Sequence, residues 1–182
     1  MRVYQDMKSR AHPSDRSEPG DRRGLIARAA FAMVGAWVLV SALTHRIPHE
    51  VPDPSSSPIL QGAEIAPALA NVFNHACADC HSEKTRWPWY SNLAPASWFV
   101  EGDVRRARSL FNLSRWDGLG TAHQRTLLTA IATVIENHEM PPHRYVMLHP
   151  QATLSPDDAV HVIEWTRAER HRLRASAVLD TK

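Results

Sequence analysis

Two thiols and an imidazole stand within five residues, in Cys77-Ala78-Asp79-Cys80-His81. Thiols can form thioethers with vinyl groups, and a neutral imidazole is a good ligand for iron. The pentad therefore has the composition and order that attach a c-type haem covalently, two sulfurs for two vinyls and the next residue for the metal. On a helix the three side chains fall at i, i+3 and i+4 and share one face, so a single turn can anchor and ligate one porphyrin. Cys77 and Cys80 are the only cysteines of the chain, which leaves none for a structural disulfide.

Two other chemistries use the same residue types. His138 and His143 could complete a Cys2His2 zinc set with Cys77 and Cys80. The intervening chain is far longer than a finger loop, however, and His81 would be idle. A redox dithiol is normally placed at the start of a helix in a βαβ unit, and no strand-rich pattern surrounds this one. The expected cofactor is haem c, with iron bound by His81.

A porphyrin needs walls, and a low-spin iron needs a second axial ligand. Trp87-Pro88-Trp89-Tyr90 and Ala94-Pro95-Ala96-Ser97-Trp98 follow the motif. Their prolines forbid a regular helix and imply a rigid aromatic loop, serving as haem walls, as core filling or as both. Candidates for the sixth ligand are His123, His138, Met140, His143, Met147 and His149. Met140 ranks first, because Pro141 and Pro142 stiffen its loop and a thioether suits a soft metal centre. His143 ranks second, while His149 precedes Pro150 and suits a turn. His138 lies on an apolar stripe.

The elements that must position these residues read as helices. Ile65, Leu69, Val72, Phe73 and Ala76 recur at helical spacing and predict a helix over 63–81. Val100, Val104, Ala107, Leu110 and Phe111 mark the buried side of a second, over 97–113. Its Arg105, Arg106 and Arg108 read as a solvated face, or as a dock for an acidic partner or a propionate. A third begins at Thr121 with Gln124 in capping-box register. Leu127, Leu128, Ile131, Val134, Ile135 and His138 form its stripe, and Met140-Pro141-Pro142 its end. Ser155, Pro156 and Asp158 open a last helix, with Ala159, Val162, Ile163 and Thr166 inward. Its arginines, from Arg167 to Arg174, suit the C-terminal end of the helix dipole. No strand of useful length is visible, so the expected fold is all-α, a small cytochrome c-like helical domain behind one N-terminal transmembrane helix.

Leu25 to Leu43 is that span: 19 residues interrupted only by Arg28, close to what a helix needs to cross the hydrocarbon core. The chain holds 182 residues with a formal net charge of +2. Residues 1–28 carry seven Lys/Arg against four Asp/Glu, which places the N-terminus in the cytoplasm and the rest outside. A cleavable signal peptide, with Val40-Ser41-Ala42 as its small-residue site, is the alternative; Arg22-Arg23 also loosely matches a twin-arginine signal. The expected organisation is a disordered cytoplasmic leader at 1–24, an anchor or signal segment at 25–43 and a Pro/Ser-rich tether at 44–60. A c-type haem-binding domain at 61–175 and a tail at 176–182 complete it. The nearly neutral domain offers no nucleic-acid surface.

The order Cys77-Ala-Asp-Cys-His81, Trp87-Pro-Trp-Tyr-Ser91, Pro95-Ala-Ser-Trp98, Glu139-Met-Pro-Pro142, Tyr145, His149-Pro-Gln-Ala152 and Leu154-Ser155 resembles the small bacterial haem-binding domain family related to cytochrome c, over residues 60–170. The resemblance implies covalent haem c, His81 as proximal ligand and Met140 as distal ligand. The long charged leader departs from it. The function expected first is a monohaem cytochrome tethered to the bacterial cytoplasmic membrane, its haem domain in the periplasm, passing single electrons between redox partner proteins. An open-site, peroxidase-like haem enzyme and a haem-based sensor of small ligands are the alternatives. No catalytic residue is assigned.

Overall fold

Prolines and apolar spacing set where the helices of this chain begin and end. The computed structural model describes residues 19–44 and 58–179, with side chains over 22–42 and 58–179. Most of the expected leader, most of the tether and the last three residues of the tail lie outside the described residues.

The apolar N-terminal run forms α1, Pro19–Thr44. It opens before the expected span, because proline fits a first helical turn, where its missing N–H has no partner to lose. Arg22–Ala42 is long and apolar enough to cross a membrane, and Leu25, Phe31 and Leu39 along it are exposed. This segment belongs to one compact unit, residues 1–46, and everything described below to a second, residues 47–182.

The regular elements of the second unit are all helical, with no strand among its described residues; the all-α expectation holds. It comprises α2 (Pro67–Ala76), α3 (Ala78–His81), α4 (Ala96–Leu110), α5 (Thr121–Glu136), α6 (His143–Leu148) and α7 (Pro156–Leu179), with 3-10 turns at Trp89–Asn92, Leu113–Gly118 and Pro150–Ala152. α5 packs along α7. Leu127, Leu128, Ile131 and Ile135 join Val162, Trp165 and Leu173 in one core with Phe73, Leu113 and Trp116. Phe73 meets Trp165 edge to face at 5.1 Å, and Trp165 Nε1 donates to the Glu64 carbonyl at 2.7 Å. α7 is thereby fixed to the chain entering α2.

Several expected boundaries move for physical reasons. The helix expected over 63–81 is two helices. Pro67 holds Ala66 extended (φ −65°, ψ 142°), and a turn with Gly62 at φ +85° precedes it. At the other end Cys77, at φ −120°, breaks the helix, and α3 restarts behind it.

The third helix stops at Glu136, ahead of the prolines. His138 takes a left-handed φ of 57°. Its N–H bonds the Ile135 carbonyl at 3.0 Å and that of Glu139 the Val134 carbonyl at 2.9 Å, the paired bonds of a Schellman cap. His138 is thus an exposed cap residue, not part of the apolar stripe. The capping box expected at Thr121 does not form either. Gly120 is the N-cap, and Gln124 is buried, donating Nε2 to the Trp116 carbonyl at 2.9 Å.

At Ser155 the box does form: Ser155 Oγ accepts from the Asp158 N–H at 3.0 Å and donates to its Oδ2 at 2.7 Å. α7 continues to Leu179, so its arginines sit before the last turn. Arg172 binds the buried Glu169, with Nε to Oε2 at 2.7 Å. Leu110, expected inward, is exposed, since α4 ends there and Phe111 leaves in extended conformation (φ −163°).

Candidate functional site

The break at Cys77 shapes the site. Its carbonyl accepts from the Cys80 N–H at 3.2 Å and from the His81 N–H at 2.9 Å, so the two thiols and the imidazole share one short turn. Both cysteines are unpaired thiols, partly buried. Burial pushes the Cys77 thiol up to about 12, with Cys80 adding to it. Burial, Asp79 and Asp103 push Cys80 up to about 11, against Arg108 and Arg144. A redox dithiol needs a depressed thiol pKa, so this pair lacks that property.

His81 is 9% exposed. Its ring stacks on Phe111 with centroids 4.1 Å apart, and Nδ1 faces the Phe111 carbonyl at 3.4 Å. A carbonyl only accepts, so Nδ1 carries the hydrogen and Nε2 keeps its lone pair. Burial lowers the imidazole pKa, partly offset by the Phe111 and Ala107 carbonyls. The ring is therefore neutral at neutral pH, the form that ligates a metal.

The segment after the motif is pinned from both sides. Ser82 Oγ donates to the Ala78 carbonyl at 2.7 Å and Thr85 Oγ1 to the Asp79 carbonyl at 2.7 Å. From α4, Arg108 donates to the Ser82 carbonyl at 2.8 Å and to Thr85 Oγ1 at 3.0 Å. This arginine serves the turn rather than a solvated face, whereas Arg105 pairs with Glu101 on the surface as its spacing suggests. Glu83 is held by Arg115 at 2.6 Å and by Asn112 at 3.1 Å.

Asp79 and Tyr145, to which the sequence reading assigned no role in the site, organise the opposite side. Asp79 accepts from the Arg86 backbone N–H at 3.1 Å, from its Nε at 3.0 Å and from its Nη2 at 3.0 Å. It also accepts from the Tyr145 hydroxyl at 2.9 Å. Burial, with that carboxylate adding to it, holds the Tyr145 phenol above its usual range. Positions 79 and 145 are too far apart in sequence for any periodicity to link them.

Of the other candidate ligands, His149 is committed. Its Nδ1 meets the Tyr145 carbonyl at 3.1 Å and its Nε2 the Tyr90 hydroxyl at 3.2 Å. His123, His138, His143 and Met147 are exposed. Among the described residues no three or more His, Cys, Asp and Glu side chains gather as a metal site, so the zinc set does not assemble. Met140 is 38% exposed between α5 and α6. Of the aromatics after the motif, Trp89 and Trp98 are exposed, which removes core filling as their role, while Trp87 and Tyr90 are half-buried.

The haem-binding domain family matches residues 36–168, nearly three quarters of the chain. The chain belongs to the haem-binding domain family. The match runs from within α1 into α7 and contains every residue of the turn described above. No curated protein and no solved structure matches the chain. The residues of this haem-binding domain fit the group chemically. Two uncombined thiols lie on one turn with a neutral imidazole whose outer nitrogen is oriented by a carbonyl, and exposed aromatics follow in sequence.

Proposed function

We propose that this protein is a membrane-anchored, periplasmic c-type monohaem cytochrome that carries single electrons between redox partner proteins. Cys77 and Cys80 would hold the haem by thioethers, His81 would ligate the iron through Nε2, and Met140 would take the sixth position. The observation that carries this reading is the orientation of His81. Its Nδ1 is directed at the backbone carbonyl of Phe111, and the imidazole stands on the turn that also bears both thiols. Bound haem supplies an iron that alternates between two oxidation states one electron at a time.

The chain's own residues supply attachment and orientation. Phe111 and the Phe111 carbonyl fix the imidazole plane, and Arg108 fixes the turn behind it. Support for Met140 comes from its setting: the loop is fastened to α5 on one side and leads into α6 on the other, and Tyr145 of α6 bonds Asp79 of the motif. The peroxidase-like alternative asks His138 or His143 for acid–base help at the iron, and both are exposed. The apolar span of α1, with Arg22 and Arg23 before it, supports an anchor whose N-terminus is cytoplasmic.

The test is a denaturing gel stained for haem, paired with intact mass and a redox titration. Wild type should retain the mass of one haem after denaturation and titrate reversibly as a one-electron couple. The Cys77→Ala, Cys80→Ala double variant should release its haem. Haem that is extracted from the wild type by acid and solvent would overturn the covalent assignment.

A further inference from the structure

The segment carrying Met140 is fastened at both ends. The Met140 N–H bonds the Val134 carbonyl at 3.3 Å, where α5 finishes. Two residues on, the Pro142 carbonyl accepts from the Tyr145 N–H at 2.8 Å and the Val146 N–H at 3.2 Å, closing the first turn of α6. Two side chains of that turn reach across to the elements around the haem motif. Arg144 Nη2 contacts both carboxylate oxygens of Asp103 on α4 at 2.9 Å, but that pair is exposed, with side chains 75% and 48% accessible. Such pairs contribute little. The second is the bond from the Tyr145 hydroxyl to Asp79 Oδ2 at 2.9 Å.

Asp79 is a fixed acceptor. Its side chain is 12% exposed, and Arg86 holds both of its oxygens. On its other side Tyr145 stacks on His149 with centroids 4.3 Å apart, and Tyr90 holds that ring in turn. A charge-assisted bond between two such constrained groups is stronger than a neutral one.

We infer that Asp79 and Tyr145 are positioning residues: their hydrogen bond holds the Met140-Pro141-Pro142 segment to the haem-attachment turn and sets how firmly Met140 occupies the iron's sixth position. The inference rests on the reading of Met140 as an iron ligand. Neither positioning residue is assigned as an iron ligand, and each acts through the first turn of α6.

The experiment titrates imidazole, as a competing ligand, into oxidised, haem-loaded, full-length protein. Displacement is read from loss of the sulfur-to-iron charge-transfer band. Tyr145→Phe keeps the ring and its stack on His149 and deletes only the hydroxyl. Imidazole should bind it about tenfold more tightly than wild type, the usual weight of one hydrogen bond to a charged group. Asp79→Asn keeps an acceptor but removes its charge, and should shift the same way by a smaller factor. Arg144→Gln breaks the exposed pair and should change the affinity less than about twofold.

Wild-type affinity in Tyr145→Phe, or equal loosening by Arg144→Gln, would overturn the positioning role. Met140→Ala separates this outcome from failure of the ligand assignment. If the band persists in Met140→Ala, the assignment fails and the inference with it. If the band vanishes there while Tyr145→Phe binds imidazole like wild type, only the positioning role fails.

Discussion

His81 lies flat against Phe111, the ring planes 15° apart, while its Nδ1 faces the main-chain carbonyl of that same residue. One residue thus controls both the plane and the tautomer of the imidazole, through separable parts of its structure. Phe111→Ala removes the ring and keeps the carbonyl. For this half-buried side chain the loss should be about 3 kcal/mol, the lower end for Phe-to-Ala changes. Chemical denaturation of the apo-protein measures it, and an unchanged midpoint would mean that the stack does not hold His81.

Arg108→Ala should loosen the turn at 82–85, which loses its bonds to the Ser82 carbonyl and Thr85 Oγ1. The expected cost is about 1–2 kcal/mol. Limited trypsin digestion reads the effect locally, because Lys84 lies inside that turn. Cleavage after Lys84 should quicken in the variant more than cleavage after arginines of α7.

Arg172→Ala leaves Glu169, whose side chain is 1% exposed, without its cation. Removing one partner of a buried pair is far more damaging than removing a surface contact, and the expected loss is about 3 kcal/mol. Arg105→Ala, which breaks a pair between exposed side chains, should cost under about 1 kcal/mol. Similar costs for the two would show that the Glu169 pair is not energetically buried.

Ser155→Ala removes a helix cap whose hydroxyl hydrogen bond lowers the Asp158 pKa. The loss at neutral pH should be about 1 kcal/mol. A depressed carboxylate pKa stabilises the folded chain above the unfolded value of about 4 and ceases to do so as pH falls through the folded value. The gap in thermal midpoint between wild type and variant should therefore narrow below pH ~4 and stay constant from about 5 to 7. A gap that widens on acidification would contradict the cap geometry.

Deleting residues 22–42, the apolar stretch of α1, tests the anchor. Full-length protein should stay with carbonate-washed membranes. A version exported behind a cleavable leader without this stretch should appear in the soluble periplasmic fraction and still carry haem. Recovery of the full-length chain in soluble form would remove the anchor from the proposed function.

Much of this architecture is legible in the sequence because it rests on local rules. Ser155-Pro156-Asp157-Asp158 is a cap written in four consecutive residues, and it forms as read. The stripe Leu127, Leu128, Ile131 and Ile135 is buried as its period requires. The misreadings share a different origin. Thr121 and Gln124 have the spacing of a capping box, but a tertiary acceptor, the Trp116 carbonyl, takes the Gln124 side chain. His138 fits the apolar stripe by position, yet a left-handed turn rotates it outward. Asp79 with Tyr145, and Arg108 with Ser82, join distant segments, which no window of consecutive residues reveals. The thiol and imidazole pentad at 77–81 is plain in the sequence. The shell that orients it is visible only in three dimensions.

The acceptor opposite His81 Nδ1 is a main-chain oxygen, and this has a consequence for how the site can change. A carboxylate in that place could be lost or gained by one substitution, and with it the electron-donating strength of the imidazole. A peptide carbonyl is present whatever residue occupies position 111, provided the backbone keeps its course. The side of the site facing α4 is thereby insulated from mutational drift. Variation among descendants of this sequence should fall instead on the loop before α6 and on the hydroxyl and carboxylate that moor it, making that flank the adjustable half of the molecule.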